Sequence, residues 1–241
     1  MTAPTEEEPR TTSRRRRPSV MGAVGLLLVL SGLGCLGWVA YQYVGTNVVS
    51  RQAFRQETSE LRDRWATDPP APVPSVQSSA SASGTDRDAS AAVPGNAIAL
   101  LRVPKFGDGY EVPILEGTDL SILSRGVGHY TATALPGQVG NFAIAGHRVT
   151  HGQPFARLLE LGRGDRVIIE TRSAVYVYVL DTAPRDLTVD ESATWVLDPV
   201  PGEPGTAPVR ALITLTTCQD LFHSPDRAVA FGHLESTRNK T

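Results

Sequence analysis

The chain has 241 residues, 41% of them hydrophobic and only 6% aromatic, with a formal net charge of -2. That is enough for one ordinary globular core plus accessory segments, and it excludes a wholly disordered chain. Ten of the 23 Lys and Arg residues precede Asn96, which leaves 13 basic against 16 acidic residues beyond it. A dedicated nucleic-acid binder is thereby excluded, since such a protein needs a basic surface to neutralise phosphates.

Residues 20–44 carry no Asp, Glu, Lys or Arg and are long enough to cross a hydrocarbon core, which takes about 20 apolar residues. Arg14, Arg15, Arg16 and Arg17 stand directly before this run, and Trp38, Tyr41 and Tyr43 stand near its far end. The positive-inside bias therefore predicts a cytoplasmic tail over 1–19, a single span over 20–44 and an exported remainder, at the plasma membrane. The run exceeds the ~7–15 apolar residues of a cleaved signal and no clear A-x-A-like site stands directly after it, so it reads as a retained anchor.

Over 47–65 the sequence is rich in helix formers, but Val48, Phe54, Leu61 and Trp65 are too irregularly spaced to define a core face. A charged juxtamembrane helix is expected there. The Pro, Ser and Ala bias of 67–94 offers little to bury and predicts a mobile spacer, which together with the helix fills 45–95.

From Asn96 the pattern changes to short β-branched or aromatic runs at 97–103, 111–116, 141–147, 166–171, 174–183, 211–218 and 228–234, punctuated by Gly, Pro and Asp. Seven or more short strands imply an all-β barrel or sandwich over 96–236, with a tail at 237–241. Helical insertions are expected at 119–126 and 154–161, where Asp119 and Pro154 suit first turns.

Only two cysteines occur. Cys35 lies mid-span and reads as a small apolar residue, whereas Cys218 is a lone thiol in an exported domain, where an oxidising environment disfavours unpaired cysteine. Cys218 ends the run Thr214-Leu215-Thr216-Thr217-Cys218, and period-two alternation sets it opposite Ile213 and Leu215, away from the bulky core. A thiol with an ordinary pKa of about 8.5 needs a base or a positive neighbour to act as a nucleophile. Of five histidines, His147 is the best-placed partner, at the end of a run whose alternation sets it opposite Phe142 and Ile144. His223, five residues after Cys218, is the spare candidate base. His151 stands in a loop context that weakens an i, i+4 metal-ligand reading with His147. His233 reads as a packed structural histidine and His129 as a loop residue. Arg227 starts the last strand and is suited to hydrogen-bond a carbonyl or an oxyanion, but its phase also matches Val229 and Phe231 and leaves its face open.

The boxes His129-Tyr130, 135–141, 145–148 and 150–152, with the TLTTC box and the downstream Arg227, resemble the sortase family, in the family's order and across the domain. The chain is most similar to the class E sortases of high-GC Gram-positive bacteria. The resemblance implies a closed eight-stranded β-barrel and a cysteine transpeptidase, with Cys218 as nucleophile, His147 as acid/base partner and Arg227 as the substrate-orienting, oxyanion-stabilising arginine. It implies substrate-binding positions at Tyr130, Thr216 and Thr217, and it associates Tyr130 with a preference for Ala at the second signal position. Implied partners are secreted proteins ending in an LAxTG- or LPxTG-type sorting signal, cut between Thr and Gly, and an amine acceptor on a peptidoglycan precursor or a pilin. No cofactor and no metal are expected, because nothing resembles the acidic calcium cluster of class A members. The alternative from another functional class is a catalytically silent, membrane-tethered barrel that binds wall or pilus proteins.

Overall fold

The computed structural model describes residues 20–67, 93–218 and 225–240. The basic tail, the spacer from residue 68 to 92 and His223 lie outside them. Two compact units divide the chain, one ending at Tyr41 and the other running from Gln42.

In the first unit, helix α1 (Val20–Ala40) is apolar all round and buries none of its residues, as suits a helix whose solvent is lipid. By length and composition this helical run can cross a membrane.

The second unit is built on strands β1 (Ala97–Arg102), β2 (Glu111–Glu116), β3 (Val127–His129), β4 (Gly140–Ala145), β5 (Arg166–Glu170), β6 (Ala174–Leu180), β7 (Thr188–Asp190), β8 (Ala211–Cys218) and β9 (Asp226–Asn239). The sheet order is β6-β5-β1-β2-β3-β4-β8-β9-β7, and β6 also pairs with β9. Eight strands therefore close into a barrel, and β7 lies outside the ring as an extra edge on β9. Closure removes the exposed edges that an open sheet would present to other chains. β9 runs on to Asn239, which pairs with Ala174, so the last strand extends past the residues expected to close the domain.

Alternation places Phe142, Ile144, Ile169, Ile213 and Leu215 inside the barrel, together with Tyr178. Tyr178 is buried with its hydroxyl accepting the Gly137 N–H at 2.7 Å. Burial pushes its phenol well above the ordinary tyrosine range. β1 and β2 do not alternate, because both of their faces are covered. Leu101 and Ile114 point into the barrel, while Leu100 and Leu115 form a second cluster outside it with Ala97, Leu61 and Ile122.

The outer cluster is covered by helix α2 (Thr46–Thr67) and the short helix α3 (Leu120–Leu123). α2 is the helix expected from composition, but it has a core face after all: Ser50, Phe54 and Leu61 are buried at i, i+4 and i+11 spacing, and Trp65 packs beside Leu61. Counting Val48, which is exposed, hid that stripe. Along its length α2 is tied down by Glu57 to Arg125 at 2.5 Å, Arg62 to Glu111 at 2.7 Å, and Lys240 over the Trp65 ring at 4.4 Å. Individually these partly exposed pairs contribute little. The apolar contacts carry the docking, and Leu61→Ala is expected to destabilise the protein by about 2–5 kcal/mol in denaturant unfolding.

Both helical insertions are shorter than expected. Residues 119–126 give only the single turn of α3, and 154–161 give turns followed by a 3-10 turn, Leu158–Glu160. His129 is a correction of a different kind. It ends β3 fully buried, with Nδ1 2.8 Å from Glu116 Oε2 and Nε2 3.1 Å from the Ala134 carbonyl, so its polarity is satisfied by partners rather than by solvent.

Candidate active site

Three neighbouring strands bring the expected residues together. β4 and β8 run parallel, with Phe142 opposite Ile213, Ile144 opposite Leu215 and Ala145 opposite Thr216. The last bond of this ladder is the Gly146 N–H donating to the Thr216 carbonyl at 3.1 Å. His147 follows by one residue, just past the end of β4 and beside the end of β8 that carries Cys218. On the other side β8 and β9 are antiparallel, and Cys218 pairs in register with Arg227. These strand ends form one row, with Cys218 and Arg227 in register and His147 two residues past the end of β4. The register also settles the phase of Arg227: it continues the pairs Thr214–Phe231 and Thr216–Val229, and residues opposed in an antiparallel pair share a face.

Of the expected substrate positions, Tyr130 and Thr216 flank this row. Tyr130 follows β3, its N–H donates to the Ala143 carbonyl at 3.0 Å, and its hydroxyl lies 3.5 Å from Thr216 Oγ1. Thr217 lies on the other face. Its hydroxyl donates to the Gly146 carbonyl at 2.7 Å, which ties the end of β8 to the residue before His147.

His147 is partly buried, and its Nε2 has no hydrogen-bond partner among the described residues. Its carbonyl accepts the N–H of the buried Phe155 at 3.0 Å, which holds the loop to the core. The His151 ring stacks on the His147 ring with centroids 4.7 Å apart and planes 28° from parallel. Stacked faces do not converge their nitrogens, so the pair is not a chelate. Among the described residues no group of three or more His, Cys, Asp or Glu side chains is arranged to hold a metal ion. Burial, and secondarily repulsion from His151, push the His147 imidazole down to about 4. At neutral pH it is uncharged and able to take a proton.

A folded-state pKa below the ordinary value of about 6.5 has a stability consequence. Between pH 6.5 and 4 the unfolded chain binds protons at His147 that the folded chain resists, so stability falls as pH falls through that window. His151 is lowered in the same direction by burial. Denaturant unfolding at pH 7 and pH 4.5 is expected to give a lower stability at the acid pH, with the difference reduced in His147→Gln.

Arg227 donates to the carbonyls of Pro225 and Asp226 at 3.2 and 3.3 Å and to Glu191 Oε2 at 3.1 Å. Sequence reasoning did not find Glu191, which sits in the turn after β7 and shows no motif. It also missed the buried network beside the row. Asn141 Nδ2 donates to the carbonyls of Val196 and Asp198 at 3.0 and 3.1 Å, and the Thr214 hydroxyl donates to Asn141 Oδ1 at 2.7 Å. These bonds pin the segment around the 3-10 turn Thr194–Leu197 against the outer face of β4 and β8. The Asn141 box was the available signal. His233 is half-exposed, with Nδ1 2.9 Å from Asp181.

A sortase-domain family model matches residues 101–235, more than half of the chain. The chain belongs to the sortase family. It is 33% identical to Sortase SrtE1 of Streptomyces coelicolor over 250 residues, covering 97% of this chain and 64% of that protein. Sortase E from Streptomyces avermitilis is similar in structure, with a TM-score of 0.55 and 38% identity over 61% of this chain and 93% of that one. A crystal structure of Sortase E1 from Streptomyces coelicolor with a tripeptide in its active site matches with a TM-score of 0.54 and 40% identity, covering 61% and 92% of the two chains. The likeness to class E sortases expected from the sequence therefore holds for this sortase-family protein, as does the closed eight-stranded barrel.

Proposed function

We propose that this protein is a membrane-anchored cysteine transpeptidase that cleaves an LAxTG- or LPxTG-type sorting signal between Thr and Gly and passes the protein to an amine of the cell wall or a pilin. The observation that supports the reading is the meeting of three strand ends, with Cys218 in register with Arg227 and His147 just past the end of β4, the strand that pairs with β8 on its other side. The neutral His147 takes the Cys218 proton, and the thiolate attacks the Thr carbonyl carbon. As the tetrahedral intermediate collapses, the Thr–Gly C–N bond breaks and His147 returns the proton to the leaving amine, which leaves a thioester on Cys218. The acceptor amine then attacks the thioester, His147 takes its proton, and the C–S bond breaks to regenerate the thiolate.

Arg227 supplies hydrogen bonds to the oxyanion. In the free protein its guanidinium rests on two carbonyls and on Glu191, whose side chain is 61% exposed. A pair that exposed is weak, so a substrate carbonyl competes with it readily. A lysine keeps the charge but loses the planar fork. Arg227→Lys is therefore expected to lose nearly as much kcat/KM as Arg227→Ala; full activity with Lys would reduce the role to diffuse electrostatics.

Tyr130, beside Thr216, lines the signal's approach and favours Ala at its second position. α1 is the anchor, with the arginine cluster cytoplasmic and the barrel outside. The test is mass spectrometry of the detergent-solubilised full chain mixed with LAxTG and LPxTG peptides and an amine donor. The expected result is a Thr–amine product, formed faster from LAxTG. Peptide binding without any product would favour the catalytically silent barrel.

A further inference from the structure

The loop after His147 is held in an unusual backbone conformation by a helix that lies far from it in sequence. His151, Gly152 and Gln153 have φ of +52°, +80° and +55°, three successive residues in the left-handed region, two of them with side chains. Such residues persist only where the surroundings over-determine them. Within the loop, the Gln153 side-chain amide donates to the Val149 carbonyl, and His151 Nδ1 lies 2.9 Å from the Thr150 hydroxyl.

The rest of the restraint comes from α2. Asn47 Oδ1 accepts the Gly152 N–H at 2.7 Å, while Asn47 Nδ2 reaches the Tyr43 carbonyl at 2.5 Å and the Val149 carbonyl at 3.4 Å. One and two turns on, Ser50 and Phe54 close over Gly152 so tightly that a Cβ there would lie 2.6 Å from Phe54 Cζ. Beyond Phe54 the helix and loop part around a cavity of about 690 Å³, which Arg51, Arg62, Tyr110 and Arg157 help to line. The loop is thus gripped at its Asn47 end and open at the other. His151, whose ring stacks on His147, is the residue next to the gripped Gly152.

We infer that Asn47 is a positioning residue: from α2 it fixes the 149–153 loop, and with it the His151 ring against which His147 is set. The inference rests on the acyl-transfer reading for its effect on turnover, but the grip itself does not. Proton transfer is sensitive to placement at the ångström scale, so a loosened loop lowers kcat while leaving peptide binding on the β4–β8 face intact.

The test compares the full chain with its Asn47→Ala and Asn47→Asp variants. Amide hydrogen exchange at Gly152 is expected to speed at least tenfold in Asn47→Ala and less in Asn47→Asp, which keeps the acceptor for the Gly152 N–H but turns a carboxylate oxygen on the Tyr43 and Val149 carbonyls. In the transfer assay kcat of Asn47→Ala is expected to fall about 10- to 100-fold with KM within about twofold, with Asn47→Asp between Asn47→Ala and the wild type. Unchanged Gly152 exchange in Asn47→Ala overturns the grip. Faster exchange with unchanged kcat overturns the positioning role. If the wild type performs no transfer, the acyl-transfer reading falls, and the exchange result alone decides whether Asn47 fixes the loop.

Discussion

Cys218→Ala is expected to abolish transfer completely while leaving the barrel intact. The substitution removes one sulfur at the last residue of β8, and the neighbouring pairs Thr217–Ala228 and Thr216–Val229 hold the strand to β9 without it. The loss of activity is total in the proposed mechanism because the thiol is the nucleophile, and among the described residues the neighbouring hydroxyls of Thr216 and Thr217 are buried, that of Thr217 being committed to the Gly146 carbonyl. Thermal unfolding of the variant checks the fold, and product formation from peptide and amine checks the chemistry. A variant of wild-type stability that still transfers would remove Cys218 from the mechanism.

His147→Ala is the second large effect. General acid–base catalysis by a placed side chain is worth about 10²- to 10⁴-fold, and in the proposed cycle His147 serves twice, once for the thiol and leaving amine and once for the acceptor. Turnover is expected to fall within that range, with peptide KM little changed. The comparison that makes the measurement decisive is His223→Ala, expected to be mild. The opposite ranking would mean that the base lies after Cys218 rather than beside it. His151→Ala is expected to fall between the two, since His151 backs the His147 ring and helps keep it uncharged.

Much of the barrel was legible because its strands are β-branched runs with clear punctuation. The two strands that were not legible show what such reading needs. β3 is three residues long with Gly128 at its centre. It exists because β2 pairs with it in parallel, and because a glycine allows an approach where a Cβ would lie 2.4 Å from the Gly117 carbonyl oxygen. β7 is short and polar, and it is a strand only by virtue of pairing with β9. Neither carries its own signal.

The site divides in the same way. Cys218 and His147 were identifiable as candidate residues at or near strand ends, since alternation is local and needs no partner. That β4 and β8 end side by side was not, because their pairing joins segments some 70 residues apart and no periodicity encodes it. The face of Arg227 waited on the β8–β9 register for the same reason. α2 was misjudged in the other direction. Its stripe of Ser50, Phe54 and Leu61 begins with a serine, and the search for apolar spacing passed over the residue that meets Gly152.

The central claim is that a thioester forms on Cys218, and it is tested most directly by trapping it. The full chain is mixed with a sorting-signal peptide without any amine acceptor, quenched in acid, and digested for mass spectrometry. The expected result is the peptide fragment ending in Thr attached to Cys218, released by hydroxylamine, missing from Cys218→Ala and formed at least about 100-fold more slowly in His147→Ala. Cleavage of the peptide with Cys218 unmodified at every time point, or an adduct on any other residue, would contradict it.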